Sequence, residues 1–175
     1  MPNGRFHDAA TVVTGVALFP VAYVVNHTFV ADTPALQLAC AYSVAHFISG
    51  LWLSPDLDHH TVALKRWGWF AWIWRPYRTY VEHRSWISHS FLISGLLRVV
   101  YIASFVWMIL RFYGLFDAHG ATYISAYIVS QLTDVWHLYT AYVWNVLIGI
   151  TTGSDVHVLA DQCIHTKQPR RSRAP

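Results

Sequence analysis

Four pairs of residues in this sequence could hold a cation. His7 and Asp8 stand near its start, Asp56 and Asp58 follow Pro55, His83 and His89 lie mid-chain, and His157 and Asp161 come late. Imidazole nitrogen with carboxylate oxygen suits zinc, manganese or iron, whereas magnesium would favour more oxygen. His157 and Asp161 are spaced i, i+4, so one helical face presents both, a turn apart. Asp56 and Asp58 sit in a turn and converge only if the loop curls; an Asx turn or helix cap is the alternative for either. His83 and His89 converge across a turn, with Ser85 or Ser88 capping the helix that follows. Such a site permits metal-activated water to attack an ester, phosphoester or amide. Each pair alone also reads as solvated polarity, so the case rests on a fold that gathers them.

The elements that must gather them are apolar. Of 175 residues, 55% are hydrophobic and only 12% charged, against about 25% charged in an ordinary soluble domain. Disorder is excluded. The net charge of +3 is not organised into a basic helix, so no nucleic-acid partner is expected. Cys40 and Cys163 are too far apart in sequence for a zinc-finger spacing and too few for a disulfide framework.

From Ala9 to Ala31 and from Thr33 to Pro55 there is no Asp, Glu, Lys or Arg. Each stretch exceeds the roughly 20 helical residues that cross a hydrocarbon core. Pro20 should kink the first, which a membrane helix tolerates. The first stretch lacks a convincing cleavage site and reads as retained rather than as a signal peptide. A third apolar stretch runs from Phe91 to about Phe116, interrupted by Arg98 and Arg111. From Ala121 to Ile148 there is no Gly or Pro, which predicts one long helix carrying Asp134 and His137 inside it. A short polar helix is expected after Gly153, then a flexible basic tail over 166–175. Between the second and third stretches, Ser54 to His89 mixes Trp67, Trp69, Trp72, Trp74 and Trp86 with Lys and Arg, the composition of a membrane–water interface.

The expected fold is therefore all-α: one integral membrane bundle over residues 1–175, with about four transmembrane helices and an interfacial Trp/Arg-rich segment. A soluble bundle with a very apolar core is the alternative. Four crossings place both termini, the 54–89 segment and all four ligand pairs on one side. Arg5, Lys65, Arg66, Arg75, Arg78, Arg84 and the tail cations share that side, which the positive-inside rule makes cytoplasmic. Arg98 lies about two turns inside the third helix, where a charge is costly. It either reaches back to the ligand face or snorkels to headgroups. Asn26, His27 and His46 read as satisfied polar residues at helix ends or packing faces, and His59, His60 and His119 as solvent-exposed.

Several motifs carry a family resemblance. They are Gly4-Arg5-Phe6-His7-Asp8, Ser54-Pro55-Asp56-Leu57-Asp58, Lys65-Arg66-Trp67-Gly68, Trp72-Ile73-Trp74-Arg75-Pro76-Tyr77-Arg78, and His83-Arg84-Ser85 through Ser88-His89. The sequence resembles a domain-of-unknown-function family of metal-binding membrane proteins. Its motifs are also similar to those of the membrane-bound metal-dependent hydrolases, with a Pro-Asp-x-Asp element, a His-Arg to Ser/Thr-His element and a late His-x3-Asp. Arg98 and Tyr101 match the helix after the second histidine, and His157 to Asp161 matches the late motif. Gln131 to His137 fits no part of the pattern.

The resemblance implies a divalent metal, zinc first with manganese or iron as alternatives. The ligands or their supporting shell would be His7, Asp8, Asp56, Asp58, His83, His89, His157 and Asp161. Asp58, His89 and Arg98 are the catalytic candidates, and a carboxylate left off the metal would act as general base. The expected function is hydrolysis of a membrane-associated ester or phosphoester, with membrane lipids as partners. The competing expectations are a non-catalytic, metal-stabilised subunit of a membrane complex, and a transporter using Asp134, His137 and Arg98.

Overall fold

The computed structural model describes residues 4–30, 34–58, 61–81 and 90–165; for residues 58, 118, 121, 132–138 and 164–165 it describes the backbone alone. Among the described residues every regular element is helical. Helix α1 spans Gly4–Phe29 and continues through Pro20. Pro34, which donates no backbone hydrogen bond, starts α2, Ala35–Leu51, by accepting from Gln37 and Leu38. A 3₁₀ turn, Pro55–Asp58, leads into α3, Val62–Arg66. A 3₁₀ stretch, Gly68–Ile73, then enters α4, Trp74–Tyr80. The long helices α5, Ile93–Tyr113, α6, Ala118–Leu138, and α7, Thr140–His165, complete the chain.

The principal seam joins α2 to α7, with α1 packed along α2. Small residues make it close. A Cβ built on Gly149 would lie 2.3 Å from the Tyr42 carbonyl oxygen, and one on Gly153 would lie 2.3 Å from that of His46. Glycines four residues apart stack on one helical face and let two backbones approach, a packing mode common between membrane helices. Polar bonds reinforce the seam. Ser49 donates to the Ile150 carbonyl at 2.6 Å and meets Ser154 at 3.0 Å. His46 is fully buried, with Nδ1 at 3.1 Å from the Thr152 hydroxyl and Nε2 at 3.2 Å from the Thr11 carbonyl. Asn26 and Asn145 exchange amide bonds of 2.9 Å in both directions. The expectation that Asn26 and His46 are satisfied packing residues therefore holds.

Two sequence expectations fail on α7. No single helix covers Ala121–Ile148; the chain breaks at Tyr139, whose carbonyl then accepts from Val143 in the next helix. Contacts distant in sequence hold the first turns of the new helix: Tyr142 donates to Gln37 at the start of α2, and Asn145 pairs with Asn26 near the end of α1. Nor does the chain restart after Gly153, because that glycine packs against α2 inside a continuous helix. The start of α7 thus lies beside the α1–α2 turn, and its second half lies at the opposite end, beside the start of α1. Helix α6 links the end of α5 to the start of α7, and most of its described side chains are exposed. Asp117 begins it, accepting from the Gly120 amide at 2.9 Å and the Tyr113 hydroxyl at 2.8 Å.

A second, smaller core fastens the connecting segment. Leu53, Leu57, Ala63, Leu64, Trp74 and Tyr77 are buried together against Leu97, Tyr101 and Ile102 of α5. Trp74 stacks on Tyr101 at 5.4 Å, and the Tyr101 hydroxyl donates to the Ile73 carbonyl. Among the described residues two helices, α1 and α5, are long and apolar enough to cross a membrane and α2 is apolar but shorter, so the expected four spans are not supported.

Candidate metal centre

The tight α2–α7 seam fixes the last third of α7 against the first turn of α1. His7 on α1 and His157 and Asp161 on α7 are all buried, and one ligand atom from each lies within 4.8 Å of the others. The His7 and His157 rings stack with centroids 3.9 Å apart, and His7 Nε2 is 3.4 Å from Asp161 Oδ1. His157 Nδ1 meets the Ser54 hydroxyl at 3.1 Å, the kind of outer contact that fixes the orientation of a metal-binding imidazole. His157 Nε2 lies 3.3 Å from Asp56 Oδ1, out of alignment for a hydrogen bond.

Two imidazole nitrogens in this cluster, His7 Nδ1 and His157 Nε2, are buried without a hydrogen-bond partner. Buried polar atoms ordinarily find partners, and an ion is one explanation when they do not. Two imidazoles with one carboxylate also match the three-ligand donor sets of zinc sites that keep an open position. The residues present therefore fit a divalent cation.

Asp56 sits at the edge of the cluster, at the start of the Pro55–Asp58 turn. Burial works to raise its pKa, but contact with the His157 imidazole and the charges of His157 and His7 outweigh burial and hold the carboxyl below its usual range. A carboxyl held ionised in this way favours a cation over a proton.

The structure sorts the predicted site residues into groups. His7, His157 and Asp161 come together, with Asp56 adjacent. Asp8 instead forms an ion pair with Arg66, whose guanidinium also donates to the Leu51 carbonyl at 2.7 Å. That bridge ties α1 to the end of α2. His83 and His89 lie outside the described residues, as do the side chains of Asp58, Asp134 and His137. Arg98 is fully buried and donates to the Leu53 carbonyl at 2.7 Å and the Ser154 hydroxyl at 3.1 Å. Burial excludes the snorkelling alternative. Arg98 instead pins the residue before Ser54 to the α7 turn before His157, and so positions both partners of the Ser54–His157 contact.

Ser54 and Ser154 belong to this site, although no ligand chemistry singled them out. Ser54 stands immediately before the Pro-Asp-x-Asp motif, and Ser154 lies one turn before His157, so only adjacency to recognised residues could have marked them.

An all-helical bundle with histidine and aspartate donors buried at one end defines a metal-binding helical protein. A family model for proteins described as "uncharacterized metal-binding protein (DUF2227)" matches residues 2–171, and the chain belongs to that family. The match supports metal binding; the kinship with membrane-bound hydrolases expected from the motifs has no counterpart in it. Neither the curated proteins nor the solved structures contain a match to this chain.

Proposed function

We propose that the chain is an integral membrane protein that holds a divalent metal, zinc first, through His7, His157 and Asp161 and hydrolyses a membrane-associated ester or phosphoester. The observation that carries this reading is the meeting of three buried donors from the first and last helices, with Asp56 beside them. A bound cation supplies Lewis acidity, which turns water into a nucleophile near neutral pH. Asp56 stands beside His157 and would orient a water there by accepting its hydrogen bond, Ser54 orients His157, and Arg98 holds Ser54 and α7 in register.

The membrane part of the proposal is supported by where the apolar surface faces. Only 11% and 17% of the apolar stretches of α1 and α5 are buried, the reverse of a helix in a soluble core. Val13, Val16 and Val24 on α1 and Trp107 and Phe112 on α5 all point outward. Arg5 stands two residues before His7 and Arg66 pairs with Asp8 at the metal end, which supports a cytoplasmic site with both termini on that side.

The depth of the cluster favours a second reading. His7 is 4% exposed and His157 only 1%, as suits a metal that ties α1 to α7 within a non-catalytic subunit. Metal content and hydrolysis of a phosphoester and carboxylester panel separate the two. The hydrolase predicts that His157→Ala loses both metal and turnover, while Asp56→Asn keeps metal and loses turnover. A protein that binds metal stoichiometrically and turns over no ester in the panel would leave the structural reading standing.

A further inference from the structure

The segment that fastens to α5 carries a second feature, which the metal reading does not use. An open cavity of about 610 Å³ lies among α3, the Gly68–Ile73 stretch and α4, lined by Lys65, Arg75 and Arg78 with Leu64, Gly68 and Trp72. Local sequence explains the convergence. Trp74 and Tyr77 are three apart and turn inward onto Tyr101. Arg75 and Arg78 share the same spacing one residue on, so they leave the neighbouring flank of α4, about 100° round the helix. Gly68 adopts φ +52°, a conformation that favours glycine, and there the chain bends from α3 to bring Lys65 to the same cavity.

The charge is one-sided. Thr61 to Val81 contains no Asp or Glu. Arg66, the fourth cation of the segment, is paired with Asp8. Neither Lys65 nor Arg75 forms an ion pair with a described residue. The same segment exposes aromatic surface: Trp69 is 82% exposed and Tyr80 86%, and Phe70 is exposed as well. Trp72 packs edge-on against Phe105 of α5 at 5.4 Å, so the cavity borders the outward apolar face of that helix. Cations around a cavity, flanked by exposed aromatic side chains and an apolar helix, match a ligand with an anionic head and a hydrocarbon body.

We propose that this cavity binds the headgroup phosphate of an anionic phospholipid, with Lys65, Arg75 and Arg78 as its cationic lining. The proposal rests on the membrane reading above. It adds a lipid-selective site apart from the metal centre.

The test uses the full chain purified in detergent, with thermal unfolding followed as short-chain phosphatidylglycerol, short-chain phosphatidylcholine or inorganic phosphate is added. A ligand that binds only the folded state raises the melting temperature. Phosphatidylglycerol should raise it, and the other two should not. Lys65→Gln with Arg75→Gln should weaken the phosphatidylglycerol response by about fivefold per cation removed, whereas Arg111→Gln, at the far end of α5, should leave it unchanged. The conservative pair Lys65→Arg with Arg75→Lys should keep the response, which guards against misfolding of the first variant. Equal stabilisation by phosphatidylcholine or by inorganic phosphate, or an undiminished response in the double Gln variant, overturns the site. Alkaline carbonate extraction of cell membranes tests the underlying reading separately. Chain released to the supernatant overturns the membrane reading and this site with it; chain retained in the membrane without phosphatidylglycerol selectivity overturns this site alone.

Discussion

Gly153→Ala tests whether the α2–α7 seam sets the metal centre. The added Cβ would lie 2.3 Å from the His46 carbonyl oxygen, where ordinary contact begins at 3.4 Å, so the two backbones must part by about 1.1 Å. The obstacle is main chain, which cannot swing aside as a flexible side chain does. Overpacking of this kind costs about 1–3 kcal/mol. His157 lies one turn further along α7, so most of the displacement reaches its imidazole, while metal–ligand distances tolerate only about 0.2 Å. Metal affinity should therefore fall by about five- to 150-fold, the equivalent of the same 1–3 kcal/mol. Competition against a fluorescent zinc chelator measures the affinity, and thermal unfolding with and without chelator separates packing from metal loss. Wild-type affinity in the variant would refute the coupling between seam and site. An unchanged melting temperature in the metal-free variant would refute the close approach itself.

Three further outcomes follow from other contacts. Arg98→Leu should destabilise the fold by about 1–3 kcal/mol through the Leu53 carbonyl and Ser154 hydroxyl it leaves without their donor, and should lower bound metal; Arg111→Leu, on an exposed stretch of the same helix, should do neither, and equal effects on melting and metal content would remove the special role of Arg98. Asn26→Ala and Asn145→Ala should each destabilise, with a coupling of about 0.6–2 kcal/mol in a double-mutant cycle; strict additivity would mean that the amide pair contributes nothing as a pair. Cysteines introduced at Trp69 and Asp117 should label from opposite faces of a sealed vesicle, and labelling from the same face would sink the crossing of α5.

Much of the site was legible because its chemistry repeats locally. His157 and Asp161 share a helical face by spacing alone, and His7 opens the first long helix. The seam that brings them together was not legible. Gly153 reads in sequence as a place where one helix ends and another begins, because the carbonyl that explains it belongs to another helix. The break at Tyr139 was hidden for the same reason, since nothing local competes with helix there. Asp8 shows the opposite limit: its neighbour His7 made it a plausible ligand, but Arg66, distant in sequence, claims it. Arg98 was marked by its position, yet whether it would snorkel or turn inward depended on a carbonyl and a hydroxyl that no periodicity locates.

The donors at the cluster are far apart in sequence, His7 in the first turn of α1 and His157 and Asp161 late in α7. During synthesis His7 leaves the ribosome 150 residues before His157. No intermediate that precedes α7 can present both imidazoles, so a cation held by this cluster would be captured only once α7 has packed against α2. A chain that stalls before α7, or packs it wrongly, would leave His7 without its partners. A cation bound there would thereby report that α1 and α7 have met.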